Sequence, residues 1–144
     1  QKKISYVTQD NFLLDDTILN NLIFSDENSN FNEKRFNYSI QITNLGKFVK
    51  KFKTEYETEV GDKGVRLSGG QKQKLSIARA LYKMPEIIIF DESTNALDAQ
   101  SEKDVIEEIY KIKGVTIILI SHKKDLLLKC NKILNLSDGK ITNN

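Results

Sequence analysis

The chain has 144 residues, the size of one globular domain, and 39% of them are hydrophobic, enough for a core and too many for a disordered tail. Twenty-two Lys and Arg against twenty Asp and Glu leave a net charge of +2, which gives no electrostatic reason to expect a nucleic-acid partner. One cysteine, Cys130, excludes an internal disulfide and a Cys-rich metal site, and the longest apolar runs, Ile87 to Phe90 and, with one Thr included, Val115 to Ile120, fall far short of the roughly 20 residues a membrane-spanning helix needs.

Ile4 to Val7 reads as a short strand that ends at Thr8 and Gln9, with Asp10 and Asn11 as a polar loop before a helical stretch capped by Asp16 or Thr17. Ser25 to Asn30 is Asn-rich and reads as a loop. From Asn32 to Phe52, apolar residues recur at helical spacing with Gly46 as an interruption, which predicts two short helices. Thr58 to Gly64, with two glycines and alternating charge, reads as punctuation.

Gly69 and Gly70 precede a helix over Gln71 to Lys83, where Leu75, Ala78, Leu81 and Tyr82 form one apolar stripe before the only proline, Pro85. Ile87 to Phe90 is apolar at consecutive positions, the pattern of a parallel strand covered on both faces, and it stops at Asp91 and Glu92. Ser101 to Lys113 is an amphipathic helix closed by Gly114, followed by a second buried strand, Val115 to Ile120, that stops at Ser121 and His122. A short helix around Lys124 to Lys129, a strand from Lys132 to Leu136 and a turn over Ser137 to Lys140 complete the chain. This alternation predicts an α/β fold with a mostly parallel sheet.

Open parallel sheets bind ligands beyond the carboxyl ends of their strands, where Gln9, the pair Asp91 and Glu92, and His122 all fall. Taken singly, a carboxylate pair there is also a loop or capping feature, and a lone His is more often structural. Leu67-Ser68-Gly69-Gly70-Gln71 adds glycines and a hydroxyl at a helix start, where free N–H groups form an anion site, or else a plain glycine turn.

The order of these segments, Leu67 to Gln71, Ile87 to Glu92, Ala96-Leu97-Asp98 and Ser121-His122, resembles the nucleotide-binding domain of ABC transporters from about Ser5 to Ile141. In that family's terms, Gln9 resembles the Q-loop glutamine, Leu67 to Gln71 the signature motif and Ile87 to Asp91 Walker B. Glu92 resembles the catalytic glutamate, Ala96 to Asp98 the D-loop and His122 the switch histidine. Thr58 to Gly64 is similar to the X-loop of ABC exporters, and Val7 to Leu14 to the exporter Q-loop region. Asn95 stands where Ser is usual, Lys123 where Arg often follows the histidine, and Lys74 where Arg is frequent in the signature helix.

The resemblance implies a P-loop NTPase-like fold with an inserted helical subdomain at about residues 12–66, X-loop included. Residues 67–144 would carry the signature helix, Walker B, D-loop, switch histidine and C-terminal strands. It further implies ATP as substrate with Mg²⁺ as cofactor, and a head-to-tail dimer with a second nucleotide-binding domain. The Q-loop and X-loop would contact coupling helices of a transmembrane domain, at the cytoplasmic face of a membrane. In this reading Asp91 and Gln9 serve the metal, while Glu92, His122 and Gln9 are catalytic. Ser68, Gly69, Gly70, Gln71 and Asp98 meet nucleotide across the dimer.

A phosphate loop, Gly-x-x-x-x-Gly-Lys followed by Ser or Thr, is not among the 144 residues. Gln1 opens the chain, and the expectation is a C-terminal portion of an exporter ATPase domain with one edge of its sheet unpaired. The alternatives are a fragment that only docks and supplies its signature motif in trans, and a soluble ABC ATPase of repair or translation. The X-loop-like segment and the lack of coiled-coil heptads argue against the latter.

Overall fold

A computed structural model describes residues 4–10, 12–24 and 31–142; the expected Ser25 to Asn30 loop and Asn11 lie outside the described residues. Three parallel strands, β1 (Ile4–Val7), β2 (Ile87–Asp91) and β3 (Thr116–Ile120), form a sheet in the order β1-β2-β3. In its register Val7 pairs with Phe90 and Asp91 with Ile120, so all three strands end at one edge. The chain that leaves each strand, through Gln9, Glu92 and His122, therefore emerges at the same place.

Among the described residues, one face of this sheet is packed. Val7, Ile88 and Phe90 share a core with Ile77, Ala80 and Leu81 of α4 (Gly69–Tyr82) and with Val105, Ile106 and Ile109 of α5 (Ala99–Tyr110). Both helices cover that side, and the opposite face leaves Ile4, Tyr6, Ile118 and Ile120 exposed. Burial of β2 alternates along the strand, which corrects the expectation that Ile87 to Phe90 is covered on both faces. An apolar run records β propensity at every position, but burial depends on which faces receive helices.

The second core is helical. Leu22 of α1 (Ile18–Ile23), Phe36 of α2 (Glu33–Thr43) and Val49 of α3 (Gly46–Val49) pack with Leu75, Ala78 and Tyr82 of α4. Thr17 caps α1 by accepting from the Asn20 N–H, and Asn44, in the left-handed region at φ 54°, ends α2 two residues before Gly46. The stripe expected on α4 divides between the two cores: Leu75, Ala78 and Tyr82 face the helices, while Leu81 joins Ile77 and Ala80 toward the sheet. A helix sandwiched in this way needs apolar residues around most of its circumference.

Thr58 to Gly64 is more than punctuation. Thr17 and Glu59 form an isolated antiparallel bridge, the Val60 N–H donates to the Asp16 carbonyl, and Val60 is fully buried. Beyond β3 and the short α6 (Lys124–Leu127), the chain ends in a hairpin of β4 (Asn135–Ser137) and β5 (Lys140–Thr142). Asp138 and Gly139 turn it with φ of 50° and 72°, the two positive values that a type I′ turn requires. The strand expected over Lys132 to Leu136 thus begins at Asn135 and pairs within its own hairpin instead of joining the parallel sheet.

Candidate functional site

The candidate residues fall into two groups. At the carboxyl edge of the sheet, Thr8, Gln9, Asp10, Asp91 and Glu92 line an open cleft of about 200 Å³. The Tyr6 hydroxyl donates to Asp91 Oδ2 from the neighbouring strand, and the carboxylate acceptor raises the phenol pKa above its ordinary value. Glu92 follows at φ 46°, in the left-handed region that a side chain other than Gly occupies at a cost. Its N–H donates to the Ile120 carbonyl at 3.1 Å, so the turn is tied to the end of β3.

That tie brings Glu92 to His122. His122 Nε2 lies 3.0 Å from Glu92 Oε1, with the imidazole 94% exposed and the carboxylate side chain 29% exposed. Next to the histidine, Lys123 Nζ reaches both carboxylate oxygens of Glu102 at 2.8 and 2.9 Å, which anchors this loop to α5. Asn95 Nδ2 donates to the other Glu92 oxygen, Oε2, at 3.2 Å. Nothing in the sequence signals this last contact beyond the unusual Asn.

The donor set of the cleft suits a hard cation. Asp91, Glu92, Gln9 and Thr8 offer oxygen ligands, as Mg²⁺ prefers. Among the described residues no group of three or more His, Cys, Asp or Glu side chains could enclose a metal by itself, so a cation here would complete its shell with water and phosphate oxygens.

The second group sits at two helix starts. Ser68 and Gln71 form a capping box on α4: Ser68 Oγ accepts from the Gln71 N–H at 3.3 Å, and Gln71 Oε1 accepts from the Ser68 N–H at 2.9 Å. The Ser68 hydroxyl proton stays available to an outside acceptor. Gly70 admits the backbone of the 92–98 turn, since a Cβ there would lie 3.2 Å from the Ala96 carbonyl oxygen. Asp98 caps α5 through the Ser101 N–H at 3.0 Å, and that bond, with a smaller contribution from the Ser101 hydroxyl, lowers its carboxyl pKa. Ser68 to Gln71 and Asp98 thus do structural work that the motif reading left out.

Arg79 carries a further arrangement that sequence reasoning missed. Its guanidinium donates to the Phe12 carbonyl at 2.8 Å and to the Asn21 carbonyl and Asn21 Oδ1 at 2.7 and 2.8 Å. It also lies 5.4 Å from the centre of the Phe24 ring. Arg79 therefore fixes the segment after Gln9 to the middle of α4, and burial lowers its pKa.

A profile of ABC transporters matches residues 1–95. The chain is 36% identical over 142 residues to the alpha-hemolysin translocation ATP-binding protein HlyB of Escherichia coli, covering 98% of this chain and 20% of HlyB. It is 39% identical to ABC transporter B family member 14 of Arabidopsis thaliana, again over 98% of this chain and 11% of the relative. A solved bacterial Atm1-family ABC exporter with ATP bound superposes with a TM-score of 0.90 at 31% identity, covering 99% of this chain and 25% of the exporter chain. The chain thus spans a quarter or less of the length of each of these proteins.

Proposed function

Because the chain belongs to the ABC transporter family, we propose that it forms the part of an exporter ATPase domain that hydrolyses ATP to drive transport across a membrane. One observation carries this reading: the strand register delivers Gln9, Asp91, Glu92 and His122 to a single sheet edge, with Glu92 and His122 in contact. Support for the exporter type comes from the similarity to HlyB and to the Atm1-family exporter.

Phosphoryl transfer asks a protein mainly for positioning and charge stabilisation. Asp91 and Gln9 would hold Mg²⁺, which when bound offsets phosphate charge. Glu92 is proposed as the general base that takes a proton from the attacking water, which sets its carboxylate beside the water's path. His122, nearly all exposed and beside Glu92, would donate toward phosphate or that water. Ser68 with the Gly69 and Gly70 amides, backed by the 14-residue α4, would present an anion site to nucleotide on a second copy or homologous domain, and Asp98 would meet the same interface. The phosphate loop, absent from these 144 residues, would come from elsewhere in the longer protein. The Q-loop and X-loop segments would meet the transmembrane part at the cytoplasmic membrane face, and no helix among the described residues is long and apolar enough to cross a membrane itself.

In the full-length protein, Glu92→Gln is expected to abolish Mg-dependent ATP hydrolysis while leaving ATP binding in place. Full hydrolysis in that variant would overturn the reading. Isothermal titration of the 144-residue chain with Mg-ATP is expected to give no affinity of the kind an intact site has.

A further inference from the structure

The turn that follows β2 holds Glu92 from both sides. Oε1 lies 3.0 Å from His122 Nε2, a group on a 94% exposed side chain that reaches in from another strand end. Oε2 accepts from Asn95 Nδ2 at 3.2 Å, a group inside the same turn. The turn is firm: Ser93, Thr94 and Leu97 are buried, the Asn95 N–H donates to the Glu92 carbonyl at 3.3 Å, and the Leu97 N–H to the Thr94 carbonyl at 3.0 Å. Asn95 thus stands on a fixed base, while His122 stands on an open one.

A carboxylate offers its two oxygens at fixed separation, so a donor on one of them sets the plane and direction of the other. A hydrogen bond to a charged acceptor is stronger than one between neutral groups, and it is a short-range restraint that a flexible Glu side chain lacks by itself. We propose that Asn95 is a positioning residue for the reaction: its side-chain amide pins Glu92 Oε2 so that Oε1 faces His122 and the attacking water. The inference rests on the proposed role of Glu92 as base. Serine, the usual residue here, offers a hydroxyl that can accept as well as donate; the Asn amide nitrogen can only donate.

Two substitutions in the full-length transporter, Asn95→Asp and Asn95→Ala, separate this role from packing. Asn95→Asp preserves the shape of the side chain and replaces the donor with a second carboxylate, which repels Glu92. Asn95→Ala removes the donor and adds no charge. For steady-state ATP hydrolysis, kcat is expected to fall roughly tenfold for Asn95→Ala and roughly a hundredfold for Asn95→Asp, with KM for Mg-ATP unchanged in both. Asn95 is exposed, so both variants are expected to melt as the parent does. A packing role predicts the reverse order, with the isosteric Asp the milder change. Wild-type kcat in Asn95→Ala, an Asp variant no slower than the Ala variant, or a loss confined to KM would each overturn the inference. Glu92→Gln, assayed alongside, tells the two failures apart. Loss of hydrolysis there, with Asn95→Ala at full rate, removes only the role of Asn95; full hydrolysis in Glu92→Gln removes the base and this inference with it.

Discussion

The helical half and the sheet half of the molecule are built on opposite terms. In the helical half, four helices and the Val60 segment close around a core in which Leu22, Leu45, Leu75 and Val49 are wholly buried. Asn21 and Thr43 are satisfied within it: Asn21 bonds the Leu14 N–H and carbonyl, and the Thr43 hydroxyl donates to the Ser39 carbonyl. In the sheet half, Ile88 and Phe90 are buried on one side, while Ile118 and Ile120 stand 44% and 46% exposed on the other. The lesson is that enclosure and the candidate site are unevenly divided. Both halves have a buried core, but the one with an uncovered sheet face presents the candidate carboxylates.

Truncating a side chain in each half tests that contrast directly. Leu75→Ala, in the closed core, is expected to lower stability by about 2–5 kcal/mol, read from the midpoint of urea denaturation. Arg79→Ala follows: it strips the Phe12 and Asn21 carbonyls of their donors and is expected to cost about 2 kcal/mol. Ser68→Ala breaks the capping box of α4 and is expected to cost about 1 kcal/mol. Ile118→Ala, on the open face, is expected to change stability by less than about 0.5 kcal/mol. It is also expected to reduce light scattering by the isolated chain, because an uncovered apolar sheet invites self-association. A cost for Ile118→Ala equal to that of Leu75→Ala would break the comparison.

The smallest effect concerns pH. Asp98 has its carboxyl pKa lowered in the folded chain by the Ser101 N–H, then by the Ser101 hydroxyl. Its contribution is therefore in full force above the unfolded value of about 3.9, and it fades as pH falls through the lower folded value. The stability difference between the parent and Asp98→Ala should thus shrink below about pH 4, as thermal melts across that range can record. A difference that grows on acidification would contradict the capping role.

Much of this is legible in the sequence, for identifiable reasons. Asp91 and Glu92 follow the apolar run Ile87 to Phe90 directly and His122 follows Ile120 after one residue, so the end of each run marks the candidate edge without knowledge of the register. Thr17 lies before a helical stretch, and local capping chemistry identifies it as one of two candidates. What escapes depends on contacts between distant segments. The bond from Tyr6 to Asp91 spans two strands, and the three bonds of Arg79 join α4 to residues 58 and 67 positions away. Periodicity on α4 identifies an apolar helix, but Leu81 and Tyr82 belong to different cores, which only packing decides. The Asp138-Gly139 pair is a hairpin signal at sequence level; that the hairpin stands apart from the parallel sheet is a matter of topology.

The left-handed backbone of Glu92 sets function against robustness. At φ 46° a glycine is relaxed and a glutamate is not, a difference on the order of 1 kcal/mol. Glu92→Gly is therefore a substitution that should make the fold more stable while removing a carboxylate that contacts His122. A screen that selects for folding alone would favour that glycine, and on the proposed role of Glu92 a screen for hydrolysis in the full-length protein would reject it. The two selections applied to this single position would show how much stability the chain forgoes to keep an acid there.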